Sequence, residues 1–281
     1  MANDSFLGIQ TNYKDADIVI LSAPYEGKVA WGTGSDKGPK AILEASLQLE
    51  HYSIELKDSI SEKVKIHTLE PLKLKNKKPE ELVQEVKRAV AKVISDGKKP
   101  VLLGGSHIVS IGAFEALDLK ASVLHIDAHA DLKNEYLGSK INHGCVMRRA
   151  FDKKLPFVSV GIRDYAKEEK EFMNNKNILK NIFGINFENE QVLDKLGKEV
   201  YITIDVDGFD PSEVPATGTP QPGGLSWSKV INLLEEIGKY KKIVGFDVVE
   251  LAPFEVNERS DFLAAKLTYT LIGYCFLERF K

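Results

Sequence analysis

Three short segments carry most of the side chains able to do chemistry. The first is His125-Ile126-Asp127-Ala128-His129-Ala130-Asp131, which follows the strand-like Ser122-Val123-Leu124. In extended chain, residues two apart project to the same side, so Asp127, His129 and Asp131 converge on one point beyond a strand end. His125 shares that parity but sits deeper, where a strand histidine reads as a packed, hydrogen-bonded residue rather than a ligand. The second segment ends the run Val200-Tyr201-Ile202-Thr203-Ile204: Asp205 and Asp207 alternate there, before the turn Gly208-Phe209-Asp210-Pro211. The third is Gly104-Gly105-Ser106-His107, which follows Val101-Leu102-Leu103 and puts His107 at another strand terminus. Alone, a histidine behind a glycine pair is a turn residue; the company of the other two clusters makes it a ligand candidate.

Carboxylates and imidazoles gathered at strand ends repel and desolvate one another unless cations neutralise them. Four carboxylates with two histidines and no thiolate favour a hard or borderline ion such as Mn²⁺ over a structural zinc. The same carboxylates can bridge two ions. A pair about 3.5–4 Å apart, sharing a water, generates hydroxide near neutral pH and polarises the group under attack.

Such a cluster needs strands that end at one edge. Strand-like runs recur at 17–23, 64–69, 100–104, 122–127, 157–162, 181–187, 200–207 and 243–249, about eight in all. Amphipathic helical stretches at 39–50, 79–95, 227–240 and 262–278 lie between them. This βαβα order predicts an α/β fold with a mainly parallel sheet, whose sites lie at the carboxyl edge of the strands. With no linker or repeat in view, residues 1–281 read as one domain.

The remaining composition narrows the partners. A formal net charge of -3 provides no broad cationic field for nucleic acid or anionic lipid, so a small molecule is the expected partner. The basic run 73–78 reads as a solvated loop before a helix. Cys145 and Cys275 have neither redox nor metal-ligand spacing, and the N-terminus lacks a secretory pattern, so a reducing cytoplasm fits best. The apolar run 267–277 is too short to span a bilayer and predicts a buried C-terminal helix.

Taken in order, Gly104-Gly105-Ser106-His107, Asp127-Ala128-His129-Ala130-Asp131, Asp205-Val206-Asp207-Gly208-Phe209-Asp210-Pro211, Ala216-Thr217-Gly218-Thr219-Pro220, Gly223-Gly224 and Val249-Glu250-Leu251-Ala252-Pro253 resemble the ureohydrolase family of arginases and agmatinases. The resemblance covers nearly the whole chain. It implies a three-layer αβα fold around an eight-stranded parallel sheet and a homo-oligomer, trimer or hexamer. It also implies two Mn²⁺ per subunit, one held by His107, Asp127, Asp131 and Asp205, the other by Asp127, His129, Asp205 and Asp207. Glu250 takes the position that binds substrate guanidinium, a role a strand-end carboxylate suits because it accepts paired N–H donors. A carboxylate paired with a structural arginine is the other reading of that residue. His143 corresponds to a proton shuttle, and Asp131 passes the hydroxide proton to the leaving amine, giving urea and an amine.

One position departs: the family usually carries Asp or Glu where Ser106 stands, so the support of His107 differs here. The loop Leu132-Lys133-Asn134-Glu135-Tyr136-Leu137-Gly138, with His143-Gly144-Cys145-Val146-Met147-Arg148-Arg149, looks more like agmatinases than arginases. Agmatine becomes the leading substrate, its amine end a partner for Glu135 or another acidic loop residue. Aminopropylagmatine, guanidinobutyrate and arginine are the alternative guanidines, and a non-catalytic metal-binding homologue is the alternative class.

Overall fold

The structure, a computed structural model, describes residues 5–29, 31–254 and 258–280. Its strands in chain order are β1 (Ile18–Ala23), β2 (Tyr52–Ser53), β3 (Asp58–Ser59), β4 (Ile66–Thr68), β5 (Lys99–Gly104), β6 (Ala121–Ile126), β7 (Phe157–Val160), β8 (Glu199–Asp205) and β9 (Lys242–Val249). Seven form one sheet in the order β4-β1-β5-β9-β8-β6-β7, every pair parallel. Strands β2 and β3 form a separate antiparallel pair.

Alternation along each strand sorts the apolar side chains onto two faces. In β1, Ile18 and Ile20 join one core cluster while Val19 and Leu21 join the other. The first cluster is covered by helices Gly38–Ser46, Trp227–Tyr240 and Arg259–Tyr274, and the second by Pro79–Ser95, Val109–Ala116 and Val146–Asp152. Both faces are therefore dry. That is why the strands are nearly continuous apolar runs, each fully buried Val, Leu or Ile contributing about 1.5–3 kcal/mol. Residues 267–274 of the apolar run 267–277 lie in the buried helix Arg259–Tyr274, which ends before the run does. No helix among the described residues is long and apolar enough to cross a membrane.

The eighth expected strand, 181–187, does not form. Leu179–Asn181 is a 3-10 turn, and Ile182 makes only an isolated bridge to Ser159 at the β7 edge. Phe183 N donates to the Ser159 carbonyl at 2.8 Å, but β7 ends at Val160 and Gly161 turns to φ +89°. Two more bonds, Gly161 N to the Gly184 carbonyl at 3.1 Å and Ile162 N to the Phe183 carbonyl at 3.0 Å, join the segments, but the kink at Gly161 breaks the regular pairing that a strand needs. The strand expected over 200–207 likewise stops at Asp205, because the Asp205 side chain accepts from Asp207 N at 2.9 Å and caps a 3-10 turn, Val206–Gly208.

Candidate metal centre and active site

The four central strands, β5, β9, β8 and β6, are neighbours in the sheet, and each ends in a chemically active segment. His107 follows β5, Glu250 follows β9, Asp205 ends β8, and Asp127 follows β6. Parallel strands put all four at one edge. The glycine pair after β5 allows close backbone contact: a Cβ on Gly105 would lie 2.2 Å from the Tyr25 carbonyl oxygen. Asp131 and Glu250 adopt left-handed backbone, φ +51° and +62°, a strained conformation for residues with side chains, which the surrounding bonds must hold. Arg148 N donates to the Asp131 carbonyl at 3.0 Å, and Glu250 N to the Gly105 carbonyl at 2.8 Å.

The six ligand candidates meet in two overlapping groups. His107 Nδ1 stands 3.3 Å from Asp127 Oδ2, 3.2 Å from Asp131 Oδ2 and 3.5 Å from Asp205 Oδ2. His129 Nδ1 stands 3.0 Å from Asp207 Oδ2 and 3.5 Å from Asp127 Oδ1. Donor atoms about 2.1 Å from one divalent ion, at right angles, lie about 3 Å apart, which is the spacing seen. Asp127 offers one oxygen to each group, as a bridging carboxylate does. His107 Nδ1 is buried and makes no hydrogen bond among the described residues, so its lone pair is available to an ion.

Charge tells the same story. Burial pushes Asp205 well above the ordinary carboxylate range and Asp131 up to about 6, with neighbouring carboxylates adding to both. Burial works against charge on His129, yet Asp127 and Asp207 drive it up to about 12. Burial would raise Asp127 too, but His125, His107 and His129 hold it well below its usual value. So dense a set of buried anions fits cations, and the donor set suits a hard or borderline metal.

Residues behind the ligands fix their orientation. His107 Nε2 is 2.9 Å from Thr203 Oγ1, which donates to Asp247 Oδ1 at 2.5 Å. With Asp247 as the terminal acceptor, Nε2 carries the proton and Nδ1 faces the carboxylates. His125 has both ring nitrogens engaged, with Asp127 Oδ2 at 2.8 Å and Ser159 Oγ at 3.0 Å, so it supports Asp127. Thr203 and Asp247 escaped the motif reading although polar groups inside strands buried on both faces are a usable signal. We predict that Thr203→Val weakens divalent-metal affinity about 10–100-fold while leaving the ligands intact. Metal titration followed by calorimetry checks this, and unchanged affinity would remove Thr203 from the support of His107.

A cavity of about 350 Å³ opens over the centre, lined by His107, His129, Asp131, Asp205, Asp207, His143 and Glu250 among others. Glu250 Oε1 accepts from His107 N at 2.6 Å, and burial pushes its carboxyl up to about 7. His143 packs edge-on against Tyr136, 5.4 Å between centroids, and burial lowers it to about 4. Ser106 is buried, its N–H donating to the Tyr25 carbonyl at 2.7 Å, while its hydroxyl has no hydrogen-bond partner among the described residues. Glu135 is exposed and lies outside the residues that line the cavity. Asp164 and Trp31, which the motif reading did not single out, line it instead.

Helical layers on both faces of a parallel sheet, with a histidine–aspartate centre where the central strands end, define the class as a three-layer αβα fold carrying a cluster of metal-ligand side chains at its strand edge. The family model for the arginase family matches residues 16–273, and the chain belongs to that family. It is an amidinohydrolase, an enzyme that cleaves C–N bonds of linear amidines. Among its relatives, the N(1)-aminopropylagmatine ureohydrolase of Synechocystis sp. is 38% identical, covering 94% of this chain and 90% of the relative. The agmatinase of Pyrococcus horikoshii is 35% identical, covering 92% of each. The crystal structure of the agmatine ureohydrolase of Thermoplasma volcanium superimposes with a TM-score of 0.84 at 32% identity, covering 98% of this chain and 94% of that one.

Proposed function

We propose that the protein uses two Mn²⁺ ions to hydrolyse a guanidino compound to urea and an amine, with agmatine, which yields putrescine, as the leading substrate. The observation that carries this is the convergence of His107, Asp127, His129, Asp131, Asp205 and Asp207 with Glu250 at one strand edge. When bound, such a metal pair supplies a hydroxide nucleophile near neutral pH and Lewis-acid polarisation.

The chain's own groups do the rest. Glu250, held by His107 N, accepts the paired N–H donors of the guanidinium and points its carbon toward the centre. Asp131 takes the proton of the hydroxyl added to the guanidino carbon and passes it to the departing amine nitrogen as the C–N bond breaks, and His143 at the cavity wall exchanges protons with solvent. A second reading, aminopropylagmatine as substrate, is favoured by the names of relatives such as the Synechocystis protein.

The test is urea release from manganese-loaded protein incubated separately with agmatine, aminopropylagmatine, guanidinobutyrate and arginine. Release from agmatine above the others is expected. Release from aminopropylagmatine above agmatine would transfer the assignment to the longer amine, and no urea from any despite bound metal would overturn the enzyme reading for these compounds.

A further inference from the structure

We propose that Trp31 and Asp164 form a second cation site at the mouth of the cavity, taking the outer ammonium of a guanidine whose tail is an oligoamine. The inference rests on the amidinohydrolase reading above and deepens it by naming the residues that read the tail.

Trp31 lines the cavity and is 83% exposed, so its side chain stands largely uncovered by the described residues at the entrance. Its neighbour Gly32 is fastened to the opposite loop: Gly32 N donates to the Gly218 carbonyl at 3.2 Å, and a Cβ on Gly32 would strike Gly218 Cα at 2.8 Å. The same loop continues to Gln221, whose Nε2 donates to Asp164 Oδ2 at 3.0 Å. Trp31 and Asp164 are thereby joined through one continuous segment of rim.

Asp164 also marks the way inward. Its Oδ2 lies 3.8 Å from His129 Nε2, on the ring edge opposite the nitrogen that faces Asp207 and Asp127. The polar groups thus run from the metal centre through His129 to a half-exposed carboxylate and an indole. An ammonium is the group that both partners attract, one by charge and the other through the ring quadrupole, whereas a tail ending in a carboxylate meets repulsion from Asp164. Glu135, the acidic residue expected to meet the tail, lies outside this cavity. Lys133, which does line it, keeps its Nζ 4.0 Å above the Tyr136 ring, beside His143.

The experiment compares kcat/KM for urea release from aminopropylagmatine, agmatine and butylguanidine, which keeps the carbon chain but ends in a methyl group. Manganese-loaded wild type, Trp31→Ala, Trp31→Phe and Asp164→Asn are assayed, and the readout is each substrate's preference over butylguanidine. The preference for aminopropylagmatine should fall roughly two- to fivefold in Trp31→Ala, the size of an exposed cation–π contact, through KM rather than kcat. Trp31→Phe should recover part of it, and Asp164→Asn should lower it by a similar factor. The preference for agmatine should change less.

Unchanged preferences in Trp31→Ala and Asp164→Asn, with urea still released, would overturn the rim site and leave the amidinohydrolase reading standing. A loss falling mainly on agmatine would overturn the oligoamine assignment. No urea from any guanidine in the wild type would sink both.

Discussion

Asp127→Ala should lose both urea release and metal. Activity should fall at least about a thousandfold, because without the metal pair the nucleophile must come from water whose pKa is no longer lowered from about 15.7 to about 7. Among the described residues Asp127 turns its two oxygens to the two groups, Oδ2 toward His107 and Oδ1 toward His129. It also accepts from His129 N at 2.6 Å and from His125 Nε2 at 2.8 Å, so its removal loosens three histidine contacts together. A stability readout makes the test independent of turnover. Manganese at a hundred times its dissociation constant stabilises a protein by about 2.7 kcal/mol, a gain the variant should not show in thermal melts. Asp127→Asn, closer in shape, serves as the check that the fold survives. Retained metal stoichiometry together with urea release in either variant would overturn the assignment of Asp127.

Glu250→Gln should separate substrate binding from metal binding. The amide keeps the shape and an oxygen to accept the His107 N–H, so the backbone junction between 105–107 and 250 should persist. What disappears is the negative charge facing a planar cation. Truncating one member of a buried, hydrogen-bonded charge pair costs about 2–5 kcal/mol, which predicts a fall in kcat/KM of roughly thirty- to several-thousandfold. Metal content per chain should match wild type, since the Glu250 carboxylate meets His107 at its backbone N–H and not at its imidazole. A kcat/KM within threefold of wild type would remove Glu250 from the substrate's path, and loss of metal would recast it as a support of the centre.

The local parts of this protein were legible because their causes are local. Spacing by two past an apolar strand picks out Asp127 with Asp131 and Asp205 with Asp207 as candidates from the sequence alone, whatever the strand order. Nearly continuous apolar runs such as Ile18–Ala23 announce a strand covered on both faces, and the helices Pro79–Ser95 and Trp227–Tyr240 begin and end where their amphipathic patterns do. The 181–187 stretch failed for a reason outside itself, since Gly161 on its partner leaves the extended conformation. Asp207 reached the centre by another route than simple alternation, through the cap that Asp205 places on the following 3-10 turn.

By itself, then, the sequence determined which side chains were chemically suited to hold cations and that they stood at strand ends. Tertiary structure alone decided that β9 and β8 lie between β5 and β6, which sets Glu250 against His107 across 143 residues of chain and Thr203 beneath the same imidazole. It also set Asp247 behind Thr203, kept Glu135 out of the cavity, and put Trp31 and Asp164 on its rim. Residue type and spacing fix what a group can do and which way it faces on its own element. Who stands opposite depends on strand order and loop path, which are set by packing among residues far apart in the chain.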